Sequence, residues 1–314
     1  MFAESDVTGH LLRELRVVAG VGLRQMSGKT HYSPSYLSEI ENGKRPVPAA
    51  VIAAYRDVLG NDPALDVDRL TATIADPSSA GGSALEDITV ILERTRRLED
   101  QIGTALVIPA IRGIDGAARA LVPAGGASLA SEVATYRGWL EHVAGNFVLA
   151  DKALTDAVQL AEEFGDASLI EHALSFLAYT AWHRGDTARA LDVTDAAIRV
   201  PRAHPALGAY DRYQQAELLA AEGDHVRAVR ALRRADKAAE STDSLDLPRH
   251  GYWYVEGFWA VQRGVVLSLL GRESEAVREA TAGVATLPPE FQHSEWLGIM
   301  LRRINPEMHC SKGM

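Results

Sequence analysis

Ser33-Pro34-Ser35-Tyr36-Leu37-Ser38-Glu39-Ile40-Glu41-Asn42-Gly43-Lys44-Arg45-Pro46 decides the fold of the N-terminal part of this chain. Ser33 offers a side-chain oxygen to the free N–H groups that open a helix. Pro34 follows at the first helical position, where its missing N–H is not needed and its fixed φ already suits a helix. Asn42-Gly43 is a stop signal, because glycine tolerates the left-handed conformation that ends many helices. Just upstream, Leu23–Lys29 predicts a short helix and His31-Tyr32 a turn. A short helix, a tight turn and a second helix together make a helix-turn-helix.

Those fourteen residues closely resemble the Cro-type (XRE) helix-turn-helix family over about residues 9–60. Taken with the helical repeats described below, the whole chain is similar to actinobacterial regulators of that family that carry a C-terminal tetratricopeptide-like domain. The resemblance implies a lambda-repressor-like domain that binds a double-stranded DNA operator. It implies that Leu23–Lys29 crosses the phosphate backbone and that Ser33–Glu41 is the recognition helix, with Ser33 at its start. Pro34, Ser35, Tyr36 and Glu39 fall where relatives face base edges, and Lys44 and Arg45 fall in a phosphate-contacting loop. Arg16 and Glu41 match a family pair that bridges the first and recognition helices. One departure is evident. Relatives often open the second helix with Ser-Gln, the Gln touching a phosphate; here the pair is Gly22-Leu23, so Arg24 or Gln25 is expected to substitute.

With 314 residues, two domains are expected. Hydrophobic residues at 47% and charged residues at 24% are globular proportions and exclude global disorder. The net charge of −10 would speak against a nucleic-acid partner if it were evenly spread. It is not: residues 1–60 hold seven bases and six acids, for +1, and the remainder carries −11. The acidic part would repel DNA and limit non-specific binding. The single cysteine, Cys310, leaves no disulfide framework, which fits a reducing compartment. The first residues lack a basic start followed by an apolar core, and charges or glycines interrupt every apolar run. A cytoplasmic protein with no membrane partner is expected.

Strand signals are nearly absent, and apolar residues recur at helical spacing, as in Leu169, Ala173, Phe176 and Leu177. The expected fold class is all-α. The helix-turn-helix domain spans 1–75, with one more short helix around Val67–Ile74. A turn-rich linker follows at 76–84, then a helical domain at 85–303 and a tail at 304–314. The second domain repeats itself. Gly145, Gly185, Gly223 and Gly271 are each followed five residues later by Ala150, Ala190, Ala228 and Ala276. Seven residues further on stand Ala157, Ala197, Ala235 and Gly283. Small residues let two antiparallel helices approach closely, with the glycine turning between them. The intervals of 40, 38 and 48 residues exceed the ~34 of a tetratricopeptide repeat, so longer helices or loops are expected in a tetratricopeptide-like solenoid. Residues 85–125 would cap the first repeat.

Other chemistry finds little support. Gly28-Lys29-Thr30 resembles the end of a phosphate-binding loop, but that motif needs a glycine at position 23, where Leu23 stands. No His-Glu-x-x-His pair, Cys cluster or Gly-x-Ser-x-Gly turn is present, so no metal, cofactor or catalytic residue is expected. The aromatic run from Tyr252 to Trp259 reads as core.

The first helix of each repeat should line the inner face. Projected from the glycines, the inward positions are Thr135, Trp139 and His142; then His172, Ser175, Tyr179, Trp182 and His183; then Tyr210, Tyr213 and Glu217. They are aromatic and polar, with no Lys or Arg among them, which favours an apolar small molecule or an uncharged peptide segment as effector. The expectation is a homodimeric transcriptional regulator set by that effector. The alternative is a non-catalytic scaffold whose repeats bind a partner protein.

Overall fold

In the computed structural model the described residues are 9, 12, 13, 16, 21–59, 82–242, 245–289 and 291–308, and among them every regular element is a helix. The chain divides into two compact units, Met1–Leu98 and Glu99–Met314. The expected short helix around Val67–Ile74 and most of the expected linker lie outside the described residues.

In the first unit, α1 (Leu23–Lys29) and α2 (Pro34–Glu41) form the predicted pair, followed by α3 (Ala49–Leu59). The local signals act as read. Ser33 Oγ accepts a hydrogen bond from the Tyr36 N–H at 3.2 Å, and Gly43 takes φ 69°, a conformation that favours glycine. Leu12, Met26, Leu37, Ile40, Val51 and Tyr55 make the core. Each is nearly inaccessible to water, and burying an aliphatic side chain of this size contributes roughly 1.5–3 kcal/mol. Gly9 is needed for the packing, since a Cβ there would lie 1.8 Å from the Ile40 carbonyl oxygen.

The long helix α4 (Gly82–Ile102) begins three residues before the expected domain start, and the division between the units falls inside it, at Leu98. Ala84, Ile88 and Leu92 form a buried stripe along its first turns.

The second unit is a row of helical hairpins. After α5 (Thr104–Ala120) come α6 (Ala127–Val143) with α7 (Phe147–Phe164), then α8 (Ala167–His183) with α9 (Thr187–Ile198). Next are α10 (Pro205–Ala221) with α11 (His225–Glu240), and α12 (Glu256–Leu269) with α13 (Glu273–Thr286); α14 (Glu295–Ile304) ends the row. The aligned glycines are the hairpin turns: Gly145, Gly185, Gly223 and Gly271 have φ of 78°, 83°, 79° and 74°. Asp186 and Asp224, directly after two of them, cap the next helix by accepting from the Arg189 and Arg227 N–H groups. The aligned alanines Ala150, Ala190, Ala228 and Ala276 are fully buried in the seam of each hairpin. At Gly283 a Cβ would sit 2.6 Å from the Gly257 carbonyl oxygen, so this last hairpin is closer than alanine allows. The first helices α6, α8, α10 and α12 also pack on one another in order, forming one continuous inner row, and α14 packs on α12 and α13 where a further hairpin would stand.

Candidate nucleic-acid interface and effector pocket

The helix-turn-helix presents one face outward and is tied together behind it. Ser33, Pro34 and Ser35 are exposed, as are Arg24, Gln25, Lys44 and Arg45; Tyr36 and Glu39 are half-buried. Behind them Arg16 forms a two-point ion pair with Glu41, Nε to Oε1 at 2.6 Å and Nη2 to Oε2 at 2.7 Å. Arg16 also donates to the Val21 carbonyl at 2.8 Å, and the Tyr55 hydroxyl donates to Glu41 Oε1 at 2.6 Å. The Glu41 hydrogen bond raises the Arg16 pKa against the opposing effect of burial. Burial, then the bond to Glu41, pushes the Tyr55 hydroxyl well above its ordinary value. One buried carboxylate thus joins Arg16, α2 and α3.

The exposed cations are not equivalent. Arg45 is paired with Glu39 on the recognition helix, and its guanidinium lies over the Tyr36 ring, 5.5 Å from the centroid. Tyr36 stacks in turn on Tyr32 at 5.4 Å. Sequence reasoning assigned Arg45 to phosphate and Glu39 to bases; the structure joins them to each other. Arg24 and Gln25 lie exposed on α1.

In the second unit, five of the inward residues converge. The Trp139 and His142 rings stack at 5.9 Å, and His142 meets Tyr179 at 5.0 Å and His183 at 4.9 Å. Trp182 meets both Tyr179 and His183, at 6.1 and 4.9 Å. His142 Nδ1 is 3.1 Å from the Thr180 hydroxyl. Burial, and then the neighbouring His183, hold the His142 imidazole down at about 3, so it is neutral at ordinary pH. Burial pushes the Tyr179 hydroxyl up to about 12.

The remaining inward residues go elsewhere. His172 packs with Phe176, His250 and Trp253, at 5.0, 4.7 and 5.9 Å, and joins the first group through the Phe176–Trp139 contact. Tyr210 stacks on Tyr254 at 5.5 Å. Tyr213 turns into the hairpin core, where its hydroxyl donates to Asp236 at 2.8 Å and its ring stacks on Trp259. Helical projection assigned it inward because α10 is buried on nearly every side, and periodicity cannot choose a face on such a helix. Of the aromatic run, Tyr254, Phe258 and Trp259 are core, while Tyr252 and Trp253 are only partly covered.

The cation that the inward positions lack is supplied from α14. Arg303 pairs with the buried Glu217, lies over the Trp182 ring at 5.2 Å, and reaches the Tyr179 hydroxyl at 3.4 Å. Gln262 donates to the second Glu217 oxygen at 2.9 Å. Sequence reasoning missed Arg303 because its partner is 86 residues away. The available signal was its position at i+7 from Trp296 and i+3 from Met300, on the apolar side of the last helix.

Residues 8–69 match the family model described as a helix-turn-helix domain. No curated protein matches the chain. Among solved structures the chain is similar to Bacillus thuringiensis PlcR, crystallised in complex with the peptide PapR7 and DNA. The two share 13% identity with a TM-score of 0.43, over 88% of this chain and 94% of that one. Among the described residues no helix is long and apolar enough to cross a membrane, and no group of His, Cys, Asp or Glu could hold a metal ion.

Proposed function

We propose that this protein is a sequence-specific DNA-binding transcriptional regulator. The observation that carries the reading is the braced helix-turn-helix. Its recognition helix offers Ser33, Pro34, Ser35 and part of Tyr36 to solvent, with Lys44 beside them, while Leu37, Ile40 and Glu41 hold the helix from behind. Side chains on an exposed helix face read base edges in a major groove, and adjacent cations fix the register on phosphates. The first unit's near-neutral charge and the second unit's acidity favour a footprint confined to this face.

A single helix-turn-helix covers little DNA, so a homodimer on an inverted repeat is the form that reaches useful affinity. The repeat unit acts as its sensor. The Trp139–His142–Tyr179–Trp182–His183 group is an aromatic surface on which an effector would stack. Because Arg303 already neutralises Glu217, an uncharged small molecule or an apolar peptide segment suits it best. Fluorescence anisotropy against DNA upstream of the protein's own gene tests the core of the reading. Saturable binding that survives non-specific competitor supports it; equal affinity for random DNA would leave the repeats as a partner-binding scaffold.

A further inference from the structure

The repeat unit has a recess lined by none of the residues in the aromatic group. It encloses about 530 Å³ where the C-terminal ends of α9 and α11 meet the start of α10. That volume is in the usual range for small-molecule sites, ~300–1,000 Å³. Its charged walls are Arg212, Arg234 and Lys237, with Glu171 the one carboxyl. In a part of the chain that is acidic overall, this is a local reversal of sign.

The recess is built around Arg212. Gly208, one turn earlier on α10, is buried inside the helix, where glycine costs about 1 kcal/mol relative to alanine. A Cβ at that position would lie 2.8 Å from Arg212 Nη1 and 3.5 Å from Glu171 Oε1. The missing side chain therefore makes the seat for the guanidinium. Nη1 donates to the Gly208 carbonyl, and no other hydrogen bond of this guanidinium is found among the described residues. Arg234 and Lys237 stand exposed at the rim.

The rest of the wall does not oppose an anion. Glu171 is buried against Asp211, whose carboxylate accepts from the Ser175 hydroxyl at 2.5 Å. Burial, then the Asp211 charge, pushes Glu171 far above the usual carboxylate range, and burial raises Asp211 as well. His204 is committed on both nitrogens, Nε2 to the Asp246 carbonyl at 2.9 Å and Nδ1 from the Ala206 N–H at 3.2 Å. It closes the wall on that side.

We infer that this recess binds a small carboxylate or phosphate anion with two or more negative charges, held by the Arg212 fork at its floor and by Arg234 and Lys237 at its rim. A planar guanidinium with free N–H groups takes a carboxylate or phosphate at two points, and the two rim cations suit a second anionic group.

The test is calorimetric titration of the full chain near physiological salt with citrate, adenosine 5′-monophosphate and inorganic pyrophosphate, with spermidine as a cationic control. Saturable binding of at least one anion and none of spermidine is expected, and the arms separate carboxylate from phosphate. The Arg234→Gln/Lys237→Gln variant changes only exposed side chains and should bind about tenfold or more weakly, as expected on losing charge-assisted contacts. Arg212→Gln should abolish binding. If no anion binds at millimolar concentration, or if the rim variant binds as tightly as the parent, the inference is overturned.

Discussion

Arg16 and Glu41 face each other through two parallel hydrogen bonds, 2.6 and 2.7 Å long, with side chains only 9% and 3% exposed. Breaking a buried pair by removing one partner strands the other charge and typically costs about 3–5 kcal/mol. Glu41→Gln should therefore unfold the first unit at a clearly lower urea concentration. The double change Arg16→Met/Glu41→Leu should be milder than either single change. Hydrogen exchange of the peptide covering the recognition helix checks this, and unaltered protection in Glu41→Gln would show that the pair does not brace the domain.

The Arg45–Glu39 pair makes the two loop cations separable. Lys44→Ala should lower the slope of log affinity against log salt by about 0.9, the value for one phosphate contact. Arg45→Ala should lower it less, because Glu39 competes for the guanidinium. Glu39→Gln frees Arg45 and should bind DNA more tightly with less discrimination between sequences. Anisotropy titrations at several salt concentrations separate these outcomes.

His142 ties stability to acidity. Its folded pKa of about 3 lies below the unfolded value of ~6.5. A group depressed on folding contributes stability above its unfolded pKa and loses it as pH falls toward the folded one. Melting temperature should therefore drop from about pH 6.5 downward, and His142→Phe should flatten that drop. A parallel pH profile in the variant would remove His142 as the cause.

Glu171 works in the opposite direction. Its folded pKa is raised above the unfolded ~4.3 by burial and by Asp211, so its contribution is complete below ~4.3 and is lost as pH rises. Glu171→Gln keeps a neutral side chain of the same shape. It should melt close to the parent in acid and above it at mildly alkaline pH. Differential scanning calorimetry across that range decides the matter.

Trp182 and Tyr179 form one wall of the aromatic group. Changing both to Ala should abolish any effector response in a reporter assay while leaving operator affinity unchanged. A variant that loses both together would instead place these rings in the support of the fold.

What was legible in the sequence follows from how local each determinant is. The Ser33 cap, the Pro34 start and the Gly43 stop act within one turn of themselves, so α2 was readable to the residue. The hairpin turns were equally open, because only glycine occupies those left-handed positions and the alanine seams repeat at fixed offsets from them. The aromatic group was readable in part. Trp139, His142, Tyr179, Trp182 and His183 meet because stacked first helices share one face. Tyr213 misled because α10 is buried nearly all round. Arg303 and the recess around Arg212 depend on approaches between distant segments, and no spacing rule reports those. The division of the chain at Leu98 falls inside a helix, where no linker composition marks it.

The reach of Arg303 bears on how the protein is made. Glu217 emerges from the ribosome 86 residues before the guanidinium that neutralises it, and Tyr179 waits across 124. Until α14 is synthesised, the nascent repeat unit holds an acid inside an aromatic interior with no counter-charge. Premature termination just short of the last helix would thus damage the middle of the unit rather than its edge, leaving a product suited to proteolytic clearance.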